Sequence, residues 1–320
     1  MSTIRGVFRQ ALFVFVSVCA STGVEAGPQS EVLRVVTTIP DLADIARQVG
    51  GESVRVDCIA RGLENLHSVR LRPSHMVVTS RADLFVQVGL ALEHAWVPGL
   101  LESAKNRRIA ADGPLNVGHG WPDLIEVPLT LDRSNGVDIH PLGNPHINLH
   151  PDFGAFAARK IRDRFKELRP ALSKTFDERC SLYEKEIEER SRRWAQIAKL
   201  LKGRKVVQYH KDFSYLCKAN GMILFGALEP KPGVPPTPGH LAKLAKEMRA
   251  ESVSVVLHGP WTPGRVARDA AERAGAKAVE LRVMVQREND SWLEFMDRSH
   301  DALLDAYGLE LPEVSGVSDE

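Results

Sequence analysis

The sequence is short of every feature that marks a nucleic-acid partner. Lys and Arg number 42 against 41 Asp and Glu, so the formal net charge is only +1. No basic stripe, zinc finger or aromatic–basic interleaving is present, which excludes RNA and DNA recognition. The short His-Glu-x-x-His pattern of zinc proteases is missing, and so is any paired-cysteine motif. Cysteine is scarce, with 4 in 320 residues, and no two are spaced as a zinc knuckle or a redox pair. Beyond the N-terminal region no apolar run is long enough to span a bilayer.

What is present begins at the N-terminus. Residues 1–10 carry Arg5 and Arg9 and no acid, an apolar run fills 11–20, and small residues lead to Val24-Glu25-Ala26. This layout predicts a secretory signal at 1–26 and a mature protein in a periplasm. A lipoprotein anchored through Cys19 is the less favoured variant, because Val18 stands where a small residue is usual. Cleavage leaves Cys58, Cys180 and Cys217, which in an oxidising compartment permits one disulfide. Burial as small apolar residues is the simpler role for at least one of them.

The remaining chain, 43% hydrophobic over its whole length, can build one large domain or two ordinary ones. Strand-like runs at 33–38, 54–58 and 82–88 alternate with helical patterns at 40–49 and 73–81. That alternation predicts a parallel sheet covered by helices. Residues 112–145, rich in Gly, Pro, Asp and Asn, read as long loops. Residues 155–201 are charged and helical, and from Leu172 an apolar stripe runs through Phe176, Cys180, Tyr183, Ile187, Trp194, Ile197 and Leu201. Pro170 suits the start of this helix and Gly203 its end. Alternation then resumes, with strands at 205–209, 222–228, 253–258 and 276–281 and helices at 238–249, 262–274 and 291–307. The fold class is therefore α/β: two lobes, each a mainly parallel sheet with flanking helices, joined by one long rigid helix. The expected organisation is a signal at 1–26, a first lobe at 27–169, the connecting helix at 170–202, a second lobe at 203–311 and a disordered tail at 312–320. A single helical connector limits hinge motion.

Among 11 histidines, the informative ones fall where strands end, because open parallel sheets bind ligands beyond their carboxyl edges. His210 closes the strand at 205–209, and His67 lies in the loop after the strand at 54–58. His146 follows Asn144-Pro145, where proline restricts the backbone. His75, His140 and His150 lie near this set in sequence, and each alone needs no function. Three imidazoles brought together suit Zn²⁺, whereas Mn²⁺ and Mg²⁺ prefer mostly oxygen. Spacing alone does not establish such a site, because only a fold unites residues so far apart.

At these residues the chain resembles the solute-binding proteins of zinc and manganese ABC importers (cluster A-I, zinc branch), which hold a metal between two lobes. The likeness runs from about Leu33 to Tyr307. Val35-Val36-Thr37-Thr38-Ile39-Pro40-Asp41-Leu42 is similar to the family's first strand and helix. Gly62-Leu63-Glu64-Asn65-Leu66-His67-Ser68, followed by Arg72-Pro73-Ser74, is similar to its first ligand motif, with Leu66 in place of a Pro and His75 in place of an Asp. Asn144-Pro145-His146 matches the second motif, and the stretch from Tyr209 to Tyr215 is similar to the third. The run from Leu228 to Pro238 resembles a segment of one branch of the family. By resemblance His67, His146 and His210 are the metal ligands, and histidine at 210 points to zinc.

Two departures accompany the likeness. The second motif usually continues to Leu-Asp-Pro, but here it reads Asn148-Leu149-His150-Pro151, so the acceptor that supports His146 is open. The family often takes a fourth ligand from the loop after its last strand, where this chain offers only Glu288 and Asp290, with water as the alternative. Glu229 is read as structural, beside a proline-rich run that fixes a loop bordering the cleft. The resemblance implies a non-enzymatic role: Zn²⁺ bound as the transported ligand and handed to a membrane permease of an ABC importer. A periplasmic metallochaperone is a further candidate partner, and a monomer is expected. The alternatives are Mn²⁺ or Fe²⁺ in the same role, or a zinc enzyme using an open coordination position.

Overall fold

The computed structural model describes residues 32–128, 140–286 and 290–312. The expected signal, Cys19, Glu288, and residues 313–320 of the expected tail lie outside the described residues.

The first sheet contains β1 (Leu33–Thr37), β2 (Val54–Cys58), β3 (Leu84–Gln87) and β4 (Leu115–Asn116), all parallel in the order β2-β1-β3-β4. Val35 lies opposite both Val56 and Leu84, which fixes the register of the three long strands. Helix α1 (Pro40–Gly50) opens with proline at its first position, where no amide bond is lost. It buries Leu42, Ile45, Ala46 and Val49, the one-face spacing of an amphipathic helix. Helix α2 (Pro73–Ser80) starts in the same way, and the His75 ring accepts a bond from the Arg72 amide at 3.3 Å. His75 therefore caps a helix. Helices α3 (Val97–Ala104) and α4 (Arg107–Asp112) complete this half before α5 (Phe153–Leu168).

Pro170 ends the run of α5, and a single tight turn at Pro170–Leu172 leads into α6 (Ser173–Leu201). At 1.5 Å per residue this helix is about 43 Å long. It buries Phe176, Cys180, Tyr183, Ile187, Trp194, Ile197 and Leu201, the stripe expected from the sequence. Each fully buried apolar side chain on such a stripe contributes about 2 kcal/mol. Gly203 follows with φ +77°, a conformation that suits glycine at a helix end.

The second sheet contains β5 (Lys205–Gln208), β6 (Ile223–Ala227), β7 (Val255–His258) and β8 (Lys277–Glu280), parallel in the order β6-β5-β7-β8. Helices α7 (Ser214–Ala219), α8 (Pro238–Ala250) and α9 (Gly264–Ala274) flank it. The last helix, α10 (Trp292–Ala306), begins with a capping box in which Ser291 and Glu294 exchange bonds of 3.1 and 3.2 Å. It then packs on α6 and α1. Trp194 stacks on His300 at 5.3 Å, and its indole donates to Asp297 at 2.8 Å. The two lobes thus share a spine of α1, α5, α6 and α10.

Two sequence expectations change. Residues 112–145 are not loop throughout, because Leu115 and Asn116 add a fourth strand to β3. Two residues are too few for a periodic signal. The permitted disulfide is not formed: Cys58, Cys180 and Cys217 are free, and the latter two are buried.

Candidate metal centre

The first site segment leaves β2 and continues the ladder for two residues, with the Ile59 and Ala60 amides donating to Thr37 and Thr38. The chain then turns at Gly62. A Cβ there would lie 2.2 Å from the Gln286 Cα, so only glycine lets this loop meet the loop after β8. Asn65 Oδ1 accepts the His67 amide at 2.9 Å, and the Trp96 indole donates to the Leu66 carbonyl at 2.9 Å. These bonds fix the backbone on both sides of His67.

The second segment repeats the device. Asn144 Oδ1 accepts the His146 amide at 2.9 Å, again two residues along. The Asn144 side chain also donates to the Lys211 carbonyl at 2.8 Å, and Tyr215 donates to the Asn144 carbonyl at 2.8 Å. One asparagine therefore ties the His146 segment to the turn that carries His210.

The third segment follows β5. Gln208 braces its turn by accepting the Phe213 amide at 3.1 Å and donating to Ser214 Oγ at 3.0 Å. Glu229 Oε2 lies 2.7 Å from His210 Nδ1 and also accepts the Gly233 amide at 3.1 Å. With Nδ1–H donated to Glu229, Nε2 is the nitrogen that carries the lone pair.

The three rings converge. Ring centroids are 5.1 Å apart for His67 and His146, 5.4 Å for His67 and His210, and 5.7 Å for His146 and His210. One ligand atom from each lies within 4.8 Å of the others. All three are buried, with 2–3% of their surface exposed. Neither ring nitrogen of His67 or His146 has a hydrogen-bond partner. Burial and the neighbouring imidazoles hold both rings well below the usual histidine range, so they are neutral at pH 7. Buried, neutral, unpartnered imidazoles fit a divalent cation, which supplies the missing electrophile.

Asp212 is the residue beside His146 that the sequence did not single out. Its Oδ1 lies 3.5 Å from His146 Nε2, and it is fully buried. Burial raises its carboxyl to about 6. His150, which replaces the usual aspartate, stands elsewhere. Its Nδ1 accepts the Asp152 amide at 3.1 Å, and its ring packs edge-on against Trp121 and Tyr215. Asp290 is paired with Arg282 at 3.9 Å and Arg298 at 3.3 Å, and it does not join the histidine group. Glu229 touches a histidine of the group, a role deeper than fixing a loop. The repeated Asn-x-His at 65–67 and 144–146 was the available signal for two of the three positions.

The model of the ZnuA family, "zinc-uptake complex component A periplasmic", matches residues 35–306. The chain belongs to this family. Among its relatives is the high-affinity zinc uptake system protein ZnuA of Yersinia pestis, 22% identical over 279 residues, covering 82% of this chain and 88% of the relative. The manganese ABC transporter substrate-binding lipoprotein PsaA of Streptococcus pneumoniae is 25% identical over 256 residues, covering 76% and 78%. A crystal structure of ZnuA superposes with a TM-score of 0.73 at 19% identity, covering 86% of this chain and 99% of that one. That likeness places the fold, two four-stranded parallel sheets joined by the long helix, in the ZnuA family.

Proposed function

We propose that this ZnuA-family chain captures Zn²⁺ outside the cytoplasm through His67, His146 and His210 and delivers it to the membrane permease of an ABC importer. The observation that carries the reading is the donor set. Three imidazoles converge, and among the described residues no carboxylate belongs to the group. Zn²⁺ accepts nitrogen donors readily, whereas Mn²⁺ favours oxygen-rich shells. The zinc-uptake relative supports the assignment. A periplasmic metallochaperone as metal source, a monomeric state and a signal-directed route to the periplasm complete the proposal. The shared helical spine supports small motions on release, such as reordering of the ligand loops, over wide opening.

The second reading is Mn²⁺ or Fe²⁺ in the same role, favoured by the manganese relative and by the Asp212 carboxylate beside His146. Titrating the metal-free protein at pH 7 with Zn²⁺ and Mn²⁺ in competition separates the two. Zinc displacing manganese at equal concentration supports the first, and the reverse order the second. If His67→Ala, His146→Ala and His210→Ala each leave affinity unchanged, both readings fail.

A further inference from the structure

We propose that His140 is the fourth protein ligand, so that the site closes around its cation with four imidazoles and no carboxylate. This rests on the zinc-binding reading above and extends it to the full coordination shell.

The His140 ring lies 4.9 Å from that of His67 and 6.4 Å from that of His146. Both of its ring nitrogens are buried, and neither makes a hydrogen bond of good geometry, although the Ala91 backbone lies close enough to act on the ring. His67 and His146 share that condition, so three neighbouring rings carry unpartnered nitrogens. An isolated buried histidine finds a backbone carbonyl instead, as His300 does with Met296 at 2.8 Å.

The spacing suits one tetrahedral ion. With Zn–N of about 2.0 Å and a ring centroid about 1.1 Å further out, neighbouring centroids stand about 5.1 Å apart. The separations are 4.9, 5.1, 5.4, 5.7 and 6.4 Å. Among these five pairs, His140–His146 is the one that has to close, by about 1 Å on the same geometry.

The carboxylates nearby have other work. Glu229 is bonded to His210 and the Gly233 amide, and Asp290 is paired with two arginines. Asp212 stands beside His146 but, like His140, lies outside the group formed with His67 and His210, so the fourth donor has to move in as the ion binds. Asparagine occupies both turn positions that brace the ligands, Asn65 and Asn144. The inner set is therefore neutral, and the dication's charge is balanced from outside it by Glu229 and Asp212. Four nitrogen donors select Zn²⁺ and its later transition-metal neighbours against Mn²⁺.

The test compares the wild-type chain with His140→Ala, Asp212→Asn and His210→Ala, each freed of metal. Zinc affinity is read at pH 7 against a chromophoric chelator, and X-ray absorption at the zinc edge counts bound imidazoles. The expected result is four imidazoles in the wild type and in Asp212→Asn, and three in His140→Ala. His140→Ala also loses at least about 10-fold in zinc affinity, the lower end of what even an outer-shell partner costs. Its preference for Zn²⁺ over Mn²⁺ shrinks in parallel. An unchanged affinity and imidazole count in His140→Ala overturns the proposal. So does a wild-type count of three with an oxygen donor that disappears in Asp212→Asn. In both cases His210→Ala still abolishes tight binding, so the three-histidine reading survives. If His210→Ala binds zinc as the wild type does, that broader reading falls and this one with it.

Discussion

Two groups of buried polar side chains tie the first lobe to the second, and they differ in how fully they are satisfied. In one, both Asp41 oxygens accept bonds, from the Asn148 side chain and from the Val285 amide, each at 3.1 Å. Asn148 also donates to the Val283 carbonyl at 2.8 Å, while Trp292 donates to the Asn148 carbonyl and, through its amide, to Asp44. In the other, His67 and His146 leave every ring nitrogen without a partner. Burying a polar group without a partner costs about 1–3 kcal/mol, so a fold tolerates several together only when a ligand restores the bonds. The first group is framework, in which Asn148 Oδ1 is the atom left without a partner. The second is a site held ready.

The strongest way to break this comparison is to delete one side chain from each group. His67→Ala, His146→Ala or His210→Ala is expected to lower zinc affinity on the order of 100-fold or more, beyond the range for outer-shell partners. Asn148→Ala should instead lower unfolding stability by about 1–3 kcal/mol while the folded fraction keeps its zinc affinity. Chelator competition and urea unfolding on the same samples read both quantities. A loss of affinity in Asn148→Ala equal to that of the histidine variants would merge the two groups into one.

Metal addition is the next test. Zinc held at about 1,000 times its dissociation constant stabilises the folded state by about 4 kcal/mol. The sign of the pH effect follows from the rings. His67 and His146 titrate well below the ordinary 6.5 when folded. The unfolded chain therefore binds protons that the fold refuses, and the stability these two rings contribute to the metal-free protein falls as pH drops below about 6.5. Calorimetric scans at pH 7.5 and 5.5, with and without zinc, check both signs. Asp41 acts with the opposite sign over the same range, so the scans are compared with those of His146→Ala; an identical pH dependence in the two metal-free proteins would contradict the burial of neutral rings.

The framework was far more legible in the sequence than the site. The stripe from Phe176 to Leu201 repeats one rule over seven turns, and Pro40 and Pro73 mark helix starts by a local steric preference. The site has no such redundancy. His67 and His210 are 143 positions apart, and only two sheets and a shared spine bring their rings to 5.4 Å. Family motifs bridged that gap for these two residues and His146. They did not reach His140, which lacks a motif, or Asp212, whose role depends on the fold placing it beside His146. His150 occupies the position of a functional aspartate in the motif, and only the fold shows that it packs against Trp121 and Tyr215.

Glu229→Gln sharpens the comparison inside the site. The amide keeps the volume but loses the charge that polarises His210, so zinc affinity should fall about 10- to 100-fold. Stability should change little, which separates an effect on the ligand from an effect on the loop. Glu229→Asp, one methylene shorter, should not restore affinity, because the 2.7 Å bond to His210 depends on reach.

The smallest effect belongs to Asp41→Asn, and its pH dependence carries the information. Burial raises the Asp41 carboxyl from 3.8 to about 7, against the opposing pull of its bonds to Asn148 and Val285. A raised carboxylate works against the fold once the unfolded chain loses its proton. Below about pH 4 both states hold the proton and the residue is neutral in the balance. Between about 4 and 7 the unfolded chain releases it first, so stability falls with rising pH. The asparagine variant carries no such slope, but one of its two bonding positions becomes a donor facing a donor. It is therefore expected to be less stable than the wild type by about 1–3 kcal/mol at pH 5, with a smaller difference at pH 8. Urea midpoints at the two pH values measure this. Equal differences at both would mean that Asp41 is ionised throughout, and that the framework, like the metal centre, holds a charge that its surroundings must offset.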